Sequence, residues 1–296
     1  MVVQHNLQAA NTNRMLGANV KAVSKSTEKL SSGYQVNRAA DDAAGLSISE
    51  KMRNQIRGIN QSVKNAEDGV SLIQTAEGNM SEIHSILQRM GELATKAAND
   101  VNASVDRKAI QDEMGELAKE IDSISTKAAF NGTKLLNGNF KNKQLQVGAV
   151  QGENMSITIK KMSASMLLGV KGSVIAGIKA STGLGWSVAA GTVNEKHMNM
   201  FTHSGASAAM KLITSAIKTV SSARSELGAK QNRLEYTIDN LENYSENLTS
   251  AESQIRDTDM ATEMTNYTKN NILQQAAQSM LAQANQSTQG VLSLLQ

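Results

Sequence analysis

Cysteine and proline are both absent from the 296 residues. The first absence excludes disulfides and any thiolate nucleophile or metal ligand. The second removes the residue that most often ends a helix, since an interior proline costs about 3 kcal/mol through a lost hydrogen bond and a clash with the preceding turn. Phe, Trp and Tyr together make only 3% of the chain, too few for a broad globular core. The formal charge of +3 comes from scattered Lys, Arg, Asp and Glu, without the basic block a nucleic-acid interface needs, so no nucleic-acid partner is expected. The opening MVVQHNLQAANTNRML has no basic segment followed by an apolar one, so no cleavable signal is expected. Apolar runs such as SMLLGV, ending at Val170, fall far short of the roughly 18 residues that span a bilayer, and no membrane partner is expected.

Signs of chemistry are also missing. His5, His84, His197 and His203 show no ligand spacing such as HxxxH, so no metal site is expected. Asp41 and Asp42 suggest paired carboxylates, but their place before a helix fits a capping role better. The many serines lack an adjacent His and acid in a nucleophile elbow. No catalytic residue, cofactor-binding residue or cofactor is expected. Trp186, in a Gly-rich stretch, reads as a local packing anchor, and the methionines at helical spacing read as core filler.

What is present is periodicity. Stepping by seven gives Ile213, Val220, Leu227, Leu234, Leu241, Leu248 and Ile255, a coiled-coil seam. The companion row Met210, Ile217, Arg224, Gln231, Ile238, Ser245 and Glu252 begins apolar and turns mixed, so the seam narrows toward its C-terminal end. A second seam runs through Met52, Ile59, Ala66, Ile73, Met80, Leu87 and Ala94, supported by Ile56, Val63 and Val70, with Asp41 or Asp42 capping the helix. A third run, Ile110, Met114, Leu117, Ile121 and Ile124, follows a loop near Asn99 to Ser104. Three helices close one bundle.

Between them the pattern changes. Asn131-Gly132 and Asn137-Gly138 are turn signals, and the alternation in QLQVGAV and NMSITIKKM predicts hairpin strands at Gln144–Val150 and Asn154–Met162. A Gly-rich stretch, KGSVIAGIKASTGLGWSVAAGTVN, completes an insert at about 130–205. The two ends are helical by pattern but thin in apolar content, with Leu16, Val20, Val23 and Leu30 at one end and Met260, Met264, Tyr267, Ile272, Ala276, Met280 and Ala284 at the other. Ordering a residue costs about 1 to 2 kcal/mol while one buried apolar side chain returns about 1.5 to 3, so each end needs the other or further neighbours. The expected fold class is mainly α: a long coiled-coil helical bundle with a small β-hairpin insert, plus paired terminal helices.

The last 29 residues, TKNNILQQAAQSMLAQANQSTQGVLSLLQ, carry a single charge, on Lys269. These residues belong to the stretch from LGAKQNRLEYTIDNLENYSENLTSAESQIRDTDMATEM to the terminus. Together with NTNRMLGANVKAVSKSTEKLSSGYQVNRAADDAAGLSISEKMRNQIRG, LQRMGELATKAAND and IQDEM, that stretch resembles the bacterial flagellins over roughly the first 140 and last 90 residues.

The resemblance implies a structural subunit, not an enzyme, that polymerises into a hollow extracellular filament for motility. Residues 1–40 with 255–296 would form a lumen-lining core, and 41–254 a bundle domain in the next shell. Assembly and lumen positions would include Leu16, Val20, Val23, Leu30, Ile272, Met280, Val291, Leu294 and Leu295. Gln274–Gln296 would be disordered in the monomer and ordered in the polymer. With so short a middle, the outer domains of longer flagellins would be lacking. Implied partners are further copies of the chain, an export chaperone at the C-terminal segment, and the filament cap and hook–filament junction proteins. Export would run through the flagellar type III apparatus. Binding by the flagellin-sensing Toll-like receptor of animals would map to Gln88, Arg89, Glu92 and Leu93 with Gln111 and Glu113. Arg89 and Leu93, four apart, would present a charge beside an apolar knob. The sequence departs from the usual pattern at Gly91, where many relatives carry a second arginine. Two rival readings are a hook–filament junction protein and a cytoplasmic coiled-coil signalling or adaptor protein; the second explains neither the β-insert nor the apolar tail.

Overall fold

The computed structural model describes residues 6–168 and 200–293; Trp186, His5 and His197 lie outside the described residues. Helix α1 spans Leu7–Ser32, α2 Ala43–Ala97, α3 Ser104–Lys127, α4 Ala164–Leu167, α5 His203–Arg256 and α6 Met260–Ser293. Strands β1 (Ala129–Phe130), β2 (Thr133–Lys134), β3 (Lys143–Gln146) and β4 (Asn154–Ile157) lie between α3 and α4. The lack of proline shows in α2 and α5, which run unbroken for 55 and 54 residues.

Local chemistry sets the helix ends. Asn6 caps α1 by accepting from the Ala9 amide at 3.0 Å, and Gly33 closes it in a left-handed conformation, φ 75°, its N–H donating to the Lys29 carbonyl. Of the two candidate caps for α2, Asp42 takes the role, accepting from the amides of Ala44 and Gly45. Asp41 instead accepts from the Arg38 amide and pairs with Lys25 at 2.8 Å. Asp259 caps α6, accepting from the Ala261 and Thr262 amides and from the Thr262 hydroxyl at 2.8 Å.

The chain divides into two compact units: Gly58–Asn243, and Met1–Arg57 together with Tyr244–Gln296. In the first, α2, α3 and α5 supply a sealed core. The seam residues Ile59, Ile73, Leu87, Ile213, Val220, Leu227 and Leu234 are all buried, as are Met80, Met90, Ile110, Met114 and Ile121. Burial fades along α5 after Leu234: Leu241 is only half-buried. In the other unit the seam residues Met52 and Leu248 are also half-buried.

The β region corrects the sequence reading. The expected hairpin is there as the antiparallel β3–β4 pair, but with shorter strands, Lys143–Gln146 and Asn154–Ile157, and a second antiparallel pair, β1–β2, precedes it. Asn131 and Gly132, both at positive φ, form the β1–β2 turn. Asn137-Gly138 turns the chain outside any strand pair, the Asn137 side chain accepting from the Asn139 amide. The ladder stops after Gln146 because Gly152 sits at φ 96° and an added Cβ at Gly148 would strike Glu153. The segment curls there, with the Gln146 amide group donating to the carbonyls of Gly148 and Val150. The β3–β4 pair lies close on α2: a Cβ on Gly69 would collide with Leu145 and come within 3.3 Å of Leu234.

Candidate assembly surface

The unit that holds both ends is built on the α1–α6 pair. The helices run antiparallel, fixed by the Asn6 side-chain amide donating to the Ala284 carbonyl and by Lys29 facing Glu263 at 3.6 Å. The pairing leaves little sealed. Leu16, Val23 and Leu30 are half-buried, and of the described α6 side chains only Ala284 is fully buried. Val20, Ile272 and Met280 are exposed, and so are Leu7, Met15, Met260, Met264 and Leu273. Val291 lies in α6 but its side chain is outside the described set, as are Leu294 and Leu295. The segment expected to be disordered in the monomer is helical to Ser293, so its thin burial, not its backbone, is what marks it.

Sequence reasoning missed a joint beside this pair. The Arg256 guanidinium lies 4.6 Å from the Tyr34 ring centroid and pairs with Glu50 at 3.1 Å. The Gln35 amide donates to the Arg256 carbonyl, the Thr258 amide donates to the Gly33 carbonyl, and Tyr34 and Asp257 form a bridge. Nearby, hydrogen bonding to Lys25 holds the Asp41 carboxyl below its ordinary range, and Arg38 pairs with Glu28 at 2.8 Å. The only sequence signal was a Tyr and an Arg next to helix ends, which periodicity ignores.

The expected receptor residues are partly together. Arg89 hydrogen-bonds Glu113 and Glu92 at 3.0 and 3.1 Å, and these bonds, Glu113 first, hold its guanidinium above the ordinary value. Gln88, Arg89, Glu92 and Glu113 are exposed. Gln111 is half-buried, its side-chain oxygen accepting from the Met200 amide at 3.0 Å. Leu93 departs from expectation: at 3% exposure it belongs to the core and presents no apolar knob. Positions four apart differ by about 40° around a helix, enough to carry Leu93 over the edge of the buried stripe that holds Met90, Ala94 and Ala97. A shallow groove of about 500 Å³ runs beside Arg89, Lys96, Asp106 and Glu113.

His84 and Gln88 share a hydrogen bond of 3.1 Å, while His203 contacts the Ala98 carbonyl at 2.7 Å. Among the described residues no group of three metal-ligating side chains converges, and no helix is long and apolar enough to cross a membrane.

The family model of the bacterial flagellin N-terminal helical region matches residues 3–141, and that of the C-terminal helical region matches residues 210–295. The chain is 48% identical over 295 residues to a flagellin of Halalkalibacterium halodurans and 48% identical over 315 residues to a flagellin of Bacillus subtilis, with 100% of both chains covered each time. Among solved structures, a putative flagellar hook-associated protein from Vibrio parahaemolyticus is similar at a TM-score of 0.55 and 15% identity, over 73% of this chain and 100% of that one, a likeness of fold alone. Matched along its whole length and in both helical regions, the chain belongs to the bacterial flagellins.

Proposed function

We propose that this flagellin is the structural subunit that polymerises into the extracellular flagellar filament, with residues 1–40 and 255–296 lining the lumen and 41–254 forming the shell around them. One observation carries the reading: Leu7, Met15, Val20, Ile272, Leu273 and Met280 stay exposed although α1 and α6 already pair. Further copies of the chain would cover them, at about 25 cal/mol per Å² of apolar surface removed from water. Salt-induced assembly of the purified chain, viewed by electron microscopy, tests this. Long tubular filaments are expected; particles that stay monomeric would favour the hook–filament junction role and reject the filament subunit.

The same exposed face supports the remaining partners. Before assembly it invites premature association, which an export chaperone bound to the C-terminal segment would prevent during delivery through the flagellar type III apparatus. Cap and junction proteins would meet the same α1–α6 pair at the filament ends.

Receptor binding is proposed at Gln88, Arg89, Glu92 and Glu113, with Gln111 at the margin and Leu93 acting only by holding the helix in place. Arg89→Ala is expected to lower affinity for the receptor ectodomain by roughly tenfold, about 1.4 kcal/mol. Gly91→Arg is expected to raise it, because a Cβ at Gly91 meets only Ile213 Cγ2, at an ordinary 3.8 Å. Surface plasmon resonance decides: unchanged affinity in Arg89→Ala removes this patch from the interface.

A further inference from the structure

The bundle and the α1–α6 pair treat methionine differently. Met80, Met90, Met114, Met155 and Met162 are at most 4% exposed, out of reach of any solute. The methionines of α1 and α6 are all open: Met15 is 56% exposed, Met260 48%, Met264 49% and Met280 51%. Core filling explains the first group and leaves the second without a role inside the monomer. Each of the four sits among the exposed apolar side chains that the filament reading places against neighbouring copies, and the inference rests on that reading.

We propose that Met15, Met260, Met264 and Met280 are a set of oxidation sites at which a peroxide, delivered outside the cell, turns the unassembled subunit into a form that cannot polymerise. A thioether sulfur attacks one oxygen of hydrogen peroxide; the S–O bond forms, the O–O bond breaks, and water leaves after proton transfer. Sulfur is oxidised by two electrons to the sulfoxide and peroxide is reduced. The product replaces a flexible apolar side chain with a polar, chiral one. On a surface that must be dehydrated against another copy, the sulfoxide oxygen then needs a hydrogen-bond donor, and the runs ANTNRMLGANV and NILQQAAQSMLAQ carry no charged donor beside Met280 and one, Arg14, beside Met15. Once a subunit is in the polymer, the sulfurs packed against neighbouring copies would be covered, so assembly itself would protect those.

The test treats dilute monomer with hydrogen peroxide, maps sulfoxide by peptide mass spectrometry, and measures the lowest protein concentration that yields filaments. The four sites are expected to oxidise at least roughly tenfold faster than Met80, Met90 and Met114, and the assembly threshold to rise about tenfold or more. Methionine sulfoxide reductases should return the threshold to its starting value. A variant with leucine at all four sites, compared with its own untreated sample, should show no peroxide effect. Met166→Leu, which removes an exposed methionine outside α1 and α6, should stay as sensitive as the parent. Oxidation of the four sites no faster than of the core methionines overturns the proposal. So does normal assembly of protein carrying four sulfoxides, or lost assembly that the reductases do not restore. Untreated protein that never polymerises sinks the filament reading instead, and in that case the rates in the peptide map still decide whether these four are the oxidation sites.

Discussion

Residues 58–243 and the α1–α6 pair are both made of long helices free of proline, yet one seals its core and the other does not. Along α2, Ile73, Met80, Ile83 and Leu87 reach zero exposure because α3, α5 and the β3–β4 pair cover the stripe from several sides. Along α6, apolar side chains at Ile272, Leu273 and Met280 point to solvent because α1 covers only one face and is itself thin in apolar residues. The two regions differ in the number of elements that cover each helix. Most helical stability in proteins comes from packing of an apolar face, so the bundle is expected to stand alone and the paired ends to need neighbours.

The largest effect expected comes from attacking the sealed region. Leu234→Asp places an unpaired carboxylate at a position with no exposure, beside Gly69, and should destabilise the unit by more than about 4 kcal/mol. Thermal melting followed by circular dichroism checks it; a midpoint within a degree or two of the parent would break the coiled-coil assignment. Ile272→Asp is the matched change in the open region. Its monomer should melt within about 0.5 kcal/mol of the parent, while filaments fail to form. A variant that polymerised normally would erase the distinction between the two regions.

Smaller effects sharpen the comparison at the joint. Arg256→Met removes the contact with Tyr34 and the pair with Glu50, and should lower the stability of the paired ends by about 1–2 kcal/mol without moving the melt of residues 58–243. Limited proteolysis at the 33–42 segment reads it, and an unchanged cleavage rate would remove the joint from the account. The smallest effect is with pH. Hydrogen bonds from the Thr262 side chain, then from the Thr262 and Ala261 amides, hold the Asp259 carboxyl below the ordinary 3.8. A carboxyl with a depressed folded value stabilises above its unfolded value and loses that contribution as pH falls through the folded one. The first turn of α6 should therefore fray below pH 3.8, seen as faster amide exchange at Ala261 and Thr262. Asp259→Asn should flatten that dependence.

Much of the bundle was legible because a seven-residue period states which face is buried without naming what covers it. Ile213, Val220, Leu227 and Leu234 stood out on that basis alone, and the companion row showed the seam narrowing toward its C-terminal end, but Leu241 and Leu248, counted in the same seam, are only half-buried. Three features escaped the pattern for physical reasons. The strand end short of Val150 depended on how the chain bends at Gly148 and Gly152, and past Ile157 the amides of Ile159 and Met162 turn to the Phe140 and Leu136 carbonyls, neither of which alternation reports. Leu93 was misplaced because a 40° step separates exposed from buried at the edge of a stripe. The Arg256–Tyr34–Glu50 joint joins residues more than 200 positions apart, and periodicity carries no information at that range. The proposed assembly face was legible only as a shortage, helices with too few apolar residues to fold by themselves.

Amide hydrogen exchange on dilute monomer and on assembled filament tests the central claim most directly. The account predicts slow exchange in both samples for the α2, α3 and α5 segments within 58–243, and exchange in α1 and α6 that is fast in the monomer and strongly slowed in the filament. Strong protection of α6 in dilute monomer, equal to that of α2, would contradict it.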